Sequence, residues 1–459
     1  MNSTDPENSG TSANPAHPTK AVAFLKSVRA DALRLARDPR QALRAVHGVS
    51  LYRNAGYLII STGVTAVTGF VFWIIAARLY PVEAVGIGSA IISALGLMAI
   101  FPELGLSTGL IRFLPGAGKD GNDMINSCFT LSGLASLAIA LVFLAGLHIW
   151  SPALLPMRQH PVFFAAFVVF AVATALQPLA NAVFLTKLRA RLILLTDAVA
   201  GVLRLPLVAV FALLFSGAFG ILASKGLGVT IAISVAILWF VPGVQKGYRP
   251  VPRLNRAVLG RLSRYAAGNY VGGVLLEMLP LVLPLVVLGV LGAQMNAYFY
   301  IAWAIAIRLT IIPSAIFNSL FAEGSNDEAS IRANTTKSIR FTLLLLLPLI
   351  LVILVISDRL LLLFGQPYSD NAAQLLRILV AAIIPWGINY LYISIERVRK
   401  NTKGIIAVTA TATGLSLGLG YLLMVNLGLP GVGVGYVAGQ TAVAIAVAVH
   451  LWRRGRSPA

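Results

Sequence analysis

An all-α, polytopic membrane protein with about 12 transmembrane helices is the fold class this sequence predicts, and three observations carry the prediction. The 459-residue chain is 58% hydrophobic and only 11% charged, with a mean hydropathy of +0.84; ordinary soluble domains carry about 25% charged residues. Its apolar residues fall into twelve runs long enough to cross a bilayer, which takes about 20 residues of helix. Its charges are bunched at the ends of those runs rather than spread along them.

Residues 1–20 are polar and hold no apolar core before a small-residue cleavage site, so they read as a disordered tail and not as a signal peptide. Residues 21–48 follow as a basic amphipathic segment. Leu25, Val28, Ala32 and Leu35 share one helical face, and Arg29, Arg34 and Arg37 lie around the other. Such a helix is expected to rest on anionic inner-leaflet lipids. The spans then run over 54–79, 84–111, 124–149, 161–184, 192–215, 218–243, 265–291, 294–320, 338–357, 372–396, 404–426 and 431–452. Runs this long resolve to helix, because a lone segment in hydrocarbon must satisfy its backbone internally.

Lysine and arginine set the orientation. With the N-terminus inside, 29 of the 36 basic residues fall in the cytoplasmic segments, while Arg78, Arg158, Arg359 and Arg377 face outward. Both termini are therefore expected in the cytoplasm, in a multi-pass protein of the cytoplasmic membrane. This distribution also removes nucleic acid as the reason for the net charge of +20.

The chain reads as a doubling. A shift of 211 residues lays spans one and two over seven and eight, aligning Arg53 with Arg264, Ala55 with Ala266, Val71 with Val282 and Pro102 with Pro313. The predicted organisation is a first lobe over 49–247, a cytoplasmic linker over 248–264 and a second lobe over 265–459, six spans in each. Six being even, the lobes share one orientation, as in parallel-repeat transporters.

Five ionisable residues lie deep: Glu103, Glu277, Arg204, Lys225 and Arg308. At about 1.5 Å per residue, Glu277 sits roughly 20 Å from Arg264 at the inner edge and Arg308 about 21 Å from the outer turn. A charge at that depth costs about 2.5–3.5 kcal/mol on insertion scales, so it turns from lipid toward partners or water. Two arrangements compensate these five: mutual pairing, or a wet cavity that takes a charged substrate. Proline stands beside several of them, with Pro102 before Glu103, Pro280 and Pro284 after Glu277, and Pro313 after Arg308. Freed backbone carbonyls at such depths are tolerated where protein or water meets them.

Other signals exclude more than they assign. The single Cys128 forms no disulfide framework, the five histidines have no metal-ligand spacing, and no P-loop is present. "GVGVGYVAG" (431–439) opens a membrane helix with no strand before it, and reads as small-residue helix packing instead of a dinucleotide loop. No metal and no cofactor is expected.

The stretch "GFVFWIIAARLY", followed by Glu83 with Gly86, and "ELGLSTGLIRFLP" resemble the opening of Wzx-type oligosaccharide flippases. These belong to the superfamily shared with MATE exporters and the lipid II flippase. The resemblance implies two six-helix lobes around a central cavity lined by spans one, two, seven and eight, working by alternating access. It implies as cargo a polyprenyl-diphosphate-linked oligosaccharide for surface polysaccharide, with the enzymes that assemble that polysaccharide as partners. It places Arg308, Arg204, Lys225 and Arg78 as substrate-binding candidates. Glu103 and Glu277 become candidates for coupling to H+ or Na+. A MATE-like exporter of drugs or metabolites would favour an acid-dominated cavity. A membrane polysaccharide polymerase or ligase would need acid/base groups on a sizeable external loop, and the external connections here are short.

Overall fold

The structure, a computed structural model, describes residues 50–324 and 328–456; the polar tail and the amphipathic segment over 21–48 lie outside the described residues. The chain divides between Tyr57 and Leu58, and every side-chain contact described below lies in the unit that starts at Leu58. The described residues are helical with no strand. The principal helices are α1 (Ser50–Leu79), α2 (Val82–Glu103), α3 (Leu106–Phe113), α4 (Gly121–Ala145), α5 (Pro161–Thr186), α6 (Ala190–Leu214) and α7 (Ala218–Val235). They continue as α8 (Arg256–Arg308), α9 (Ile311–Gly324), α10 (Glu328–Leu362), α11 (Gln366–Ala381), α12 (Ile383–Val398), α13 (Thr402–Leu427) and α14 (Leu429–Arg456).

Eleven helical stretches among the described residues are long and apolar enough to cross a membrane. One of them, Tyr270–Phe321, is 52 residues long and holds two crossings. Gly292 interrupts α8 at φ 85° and ψ 177°, a backbone conformation open to glycine. The chain doubles back there, since Leu281 before the turn and Tyr300 to Arg308 after it line the same cavity. The twelve expected crossings are thus present, six before the linker and six after it.

Several spans are broken where the sequence reads as continuous. The expected second span, 84–111, ends as helix at Glu103, because Leu104 (φ 46°) and Gly105 (φ 71°) are left-handed, and α3 then starts at Leu106. Pro102 has no N–H to donate and weakens the turn just before this break. The carbonyls left without helical partners are met from α8: the Tyr270 hydroxyl donates to Ile100 O at 3.1 Å and Phe101 O at 2.8 Å. The eighth span breaks between Arg308 and Ile311, just before Pro313, and the tenth breaks at Ala382. A single π-helical turn, Ala236–Phe240, extends α7.

The linker is a strap rather than a loose tether. Its start and middle are held on α4 by Asn126 donating to Arg249 O (2.9 Å) and by Thr130 accepting from Arg253 N (3.0 Å). Asp123 pairs with Arg253 at 2.6 Å, and Asn255 N donates to Ser127. The helix α8 already begins at Arg256, capped by the Asn255 side chain. Val258 and Leu262 in its first turns are buried with residues of α3 to α7.

Close packing through small residues governs the last helical pair. A Cβ on Gly431 would stand 2.2 Å from Leu423 O, one on Gly435 2.3 Å from Gly420 N, and one on Gly439 2.6 Å from Ser416 N. Four-residue spacing puts these glycines on one face. The motif "GVGVGYVAG" is therefore a contact between α13 and α14, as the sequence indicates.

Candidate functional site

A cavity of about 490 Å³ lies among α1, α2, α5, α6, α7 and both arms of α8, with Phe364 from the turn after α10. The lining by spans one, two, seven and eight that the resemblance implies is present, spans four, five and six add to it, and Phe364 follows the ninth. Three of the four substrate-binding candidates meet here: Arg204 from α6, Lys225 from α7 and Arg308 from the end of α8 all line the cavity. No Asp or Glu does.

Arg204 is held in place by its surroundings. Its Nη2 donates to Thr68 Oγ1 at 2.8 Å and to Thr65 O at 3.3 Å, and its guanidinium stands over the Phe72 ring, 5.7 Å from the centroid. Its Nε is buried without a hydrogen-bond partner. Gly69 lies beside the group, where an added Cβ would make ordinary contact with Nη2 at 3.5 Å. Among the described residues, Lys225 and Arg308 have no hydrogen-bond or ion-pair partner. Arg308 is exposed, and it occupies the C-terminal end of its helix, where backbone carbonyls favour a cation.

Asp197 sits seven residues before Arg204 on α6, on the same face, yet does not pair with it. Its carboxylate accepts from Ser61 Oγ of α1 and from Gln177 Nε2 of α5, the latter at 3.0 Å. Gln177 itself lines the cavity, so the carboxylate stands one side chain behind the wall. Asp197 is not among the candidates drawn from the sequence. A carboxylate in a membrane span was the available signal; its partners come from two other spans. Thr65, Thr174 and Ser93 add hydroxyls to the lining, and Trp73 and Tyr300 add aromatic rings with centroids 4.6 Å apart.

The remaining candidates lie elsewhere. Glu103 does not line the cavity: its Oε1 accepts from the backbone N of Ser107 (3.3 Å) and from Ser107 Oγ. It caps α3, whose first N–H groups have no helical partner. Glu277 is exposed on α8, one turn from the cavity-lining Leu281 and toward the end of the bundle that holds the linker. Among the described residues it has no hydrogen-bond or ion-pair partner. Arg78 lies at the opposite end, where its Nε donates to Leu363 O at 2.9 Å and its Nη2 to Leu362 O at 2.5 Å. The three ion pairs among the described residues are Arg253–Asp123, Arg377–Asp358 and Arg399–Glu396. The five deep charges are therefore not neutralised by pairing with one another. No group of His, Cys, Asp and Glu among the described residues could hold a metal ion.

A family model described as "Polysaccharide biosynthesis protein" matches residues 75–373. No curated protein sequence matches the chain. Solved structures do. The inward closed lipid II flippase MurJ is similar at a TM-score of 0.69 with 12% identity, over 86% of this chain and 87% of that one. An inward-facing multidrug resistance MATE family transporter of the MOP superfamily is similar at 0.67 with 17% identity, over 85% and 94%. A MOP superfamily transporter from Pyrococcus furiosus, for which a reversed polarity of the binding pocket suggests a different function, is similar at 0.56 with 15% identity, over 89% and 95%. At these identities the likeness shows the fold.

Proposed function

The chain belongs to the polysaccharide biosynthesis protein family, and from that premise we propose that it moves a polyprenyl-diphosphate-linked oligosaccharide across the cytoplasmic membrane by alternating access. The observation that carries this reading is the cavity wall, with three cations from three separate helices and, among the described residues, no carboxylate. A wall of that kind is built for a multiply charged anion. Arginine presents a planar fork of donors that matches phosphate oxygens, and lysine adds a compact charge with three donors. In a low-dielectric surround such groups attract an anion far more strongly than in water.

The division of labour follows from what each cation already touches. Arg204 is oriented by Thr65 and Thr68 and offers its remaining donors from a fixed position. Lys225 and Arg308 have their full donor sets to give. The hydroxyls and the Gln177 amide nearby suit sugar hydroxyls, while the polyprenyl tail stays in lipid. The end of the bundle holding the linker and Arg249, Arg253, Arg256 and Arg261 is rich in basic residues. That richness supports placing it in the cytoplasm, so the cargo is loaded from there and delivered outward. The enzymes that build the polysaccharide are the expected partners before and after the step.

Coupling to a proton or sodium gradient is assigned to Glu277 in preference to Glu103. Glu277 is exposed, while the Glu103 carboxylate is occupied in capping α3. Protonation or cation binding at Glu277 would shift the population of the two openings by its difference in affinity between them. A MATE-like exporter, the nearest rival, calls for acid-dominated walls, and this lining has none.

The test is depletion of the protein followed by lipid extraction and mass spectrometry, with sidedness read by an impermeant glycan-cleaving enzyme. Accumulation of polyprenyl-diphosphate oligosaccharide on the cytoplasmic face with loss of surface glycan is the expected result. Unchanged lipid-linked sugars together with new sensitivity to toxic cations would replace this reading with the exporter.

A further inference from the structure

The end of the bundle away from the linker carries contacts that the cargo site does not explain. Arg78 ends α1, and its guanidinium donates to Leu362 O and Leu363 O, the last carbonyls of α10 and its exit turn. Leu362 O also accepts from Gly365 N at 3.1 Å, and both carbonyls lie at the partly negative end of a helix, where a cation is favoured. About two turns further back on α1, Phe70 meets Phe364 edge-on, with centroids 5.4 Å apart at 89°. Phe364 is 2% exposed, and both rings line the cavity. The residue after it, Gly365, has φ 130°, so the turn that presents Phe364 depends on glycine.

A second seam closes the same end. A Cβ on Gly86 would stand 1.7 Å from Ala293 O, which puts α2 in direct contact with the turn of α8. Asn296 Nδ2 donates across this seam to Gly86 O at 2.7 Å and lies 3.2 Å from Ser89 Oγ. Each seam joins a helix from before the linker to one from after it. Toward the linker end, by contrast, Arg308 and Glu277 are exposed.

We propose that Arg78 and the Phe70–Phe364 pair form a latch that holds the end of the cavity away from the linker shut. The latch must part each time cargo leaves. Arg78 is then a gating residue, distinct from the cargo-binding Arg204, Lys225 and Arg308. Its bonds are of a kind suited to cycling. The acceptors are neutral carbonyls and the guanidinium is exposed, so water replaces the partners of both sides when the contact opens. A buried ion pair would leave a stranded charge in the open state; this contact does not. The proposal rests on the alternating-access reading, but its geometry is independent of what the cargo is.

The experiment uses the full chain with a reporter cysteine at Ala304, which lines the cavity, in right-side-out and inside-out vesicles without cargo. Labelling by a membrane-impermeant maleimide is measured from each face; the native Cys128 is buried and serves as the background. The expected result is slow labelling from the Arg78 face in the otherwise native protein and about tenfold faster labelling in R78A, the shift given by losing two hydrogen bonds of ordinary net strength. A second variant pairs Phe70→Cys with Phe364→Cys. Its disulfide is expected to abolish labelling from that face and to stop transport, with both restored by a thiol reductant. Unchanged labelling in R78A, or transport by the cross-linked protein, overturns the latch. Failure of the cargo assignment would leave the labelling pattern intact, so the two readings fail separately.

Discussion

Removing the cavity cations one at a time tests the proposed site, and Arg308→Ala is the most informative removal. Arg308 has no hydrogen-bond or ion-pair partner among the described residues, so its loss leaves no protein group stranded and the fold should be unaffected. Its donors are available to a ligand. A hydrogen bond to a charged group is worth about 1.5–3 kcal/mol net, so affinity for a diphosphate should fall by about 10- to 150-fold. Lys225→Ala should fall within the same range for the same reason. Arg204→Ala should cost both affinity and stability, because Thr68 Oγ1 and Thr65 O lose their donor and the Phe72 face loses its cation. The three effects should not add, since all three groups act on one ligand. Calorimetric titration of the detergent-purified protein with a short-chain polyprenyl diphosphate reads these differences, with thermal unfolding of each variant as the control for the fold. Raising the salt should weaken binding chiefly through the exposed Arg308, because screening acts less on the partly buried Arg204 and Lys225. If Arg308→Ala and Lys225→Ala both bind within about twofold of the parent, well below the loss of one charged hydrogen bond, the cavity is not the diphosphate site.

Three further outcomes follow from the packing. Gly435→Val should destabilise the protein by about 1–3 kcal/mol, the range for overpacking, because the atom a Cβ would strike is the Gly420 backbone and cannot swing aside; Gly418→Val, with nothing within 4 Å of the added Cβ, is the control, and equal melting temperatures for the two would refute the contact. Glu103→Ala should lower stability by about 1 kcal/mol, the usual worth of a helix cap, while leaving ion-driven transport in place; loss of the response to the ion gradient would return Glu103 to the coupling role. A disulfide between Thr130→Cys and Arg253→Cys should leave transport unimpaired, because the linker is already bonded to α4 at that point; arrest on oxidation, relieved by reductant, would mean the strap detaches in each cycle.

Much of the architecture was legible from local pattern. A segment in hydrocarbon has to close its own backbone hydrogen bonds, so length and hydropathy suffice to mark the crossings. The glycine run 431–439 was legible for the same reason, since four-residue spacing puts small residues on one helical face whatever the rest of the chain does. The deep cations could be recognised individually, because each carries its cost into the membrane alone. The break at Leu104 and Gly105 was not legible. Pro102 signals a weakened turn, but the left-handed residues that end the helix depend on Tyr270, which meets the loosened carbonyls from 169 and 170 residues away. Arg78 likewise reads from the sequence as one more basic residue at a span end, and only its contact with carbonyls 284 and 285 residues away distinguishes it.

What the sequence by itself determined is the kind of molecule: an all-helical chain of twelve crossings, with charges set deep in several of them. Only the tertiary structure decided which of those charges meet. Arg204, Lys225 and Arg308 come from three different helices and converge on one cavity, while Glu103 is taken up in capping and Asp197 is held by Ser61 and Gln177 behind the wall. The reason is one of range. Helix formation is settled by bonds between residues four apart, within a single segment. The company a buried charge keeps is settled by how the segments pack against one another, and no local period in the sequence encodes that.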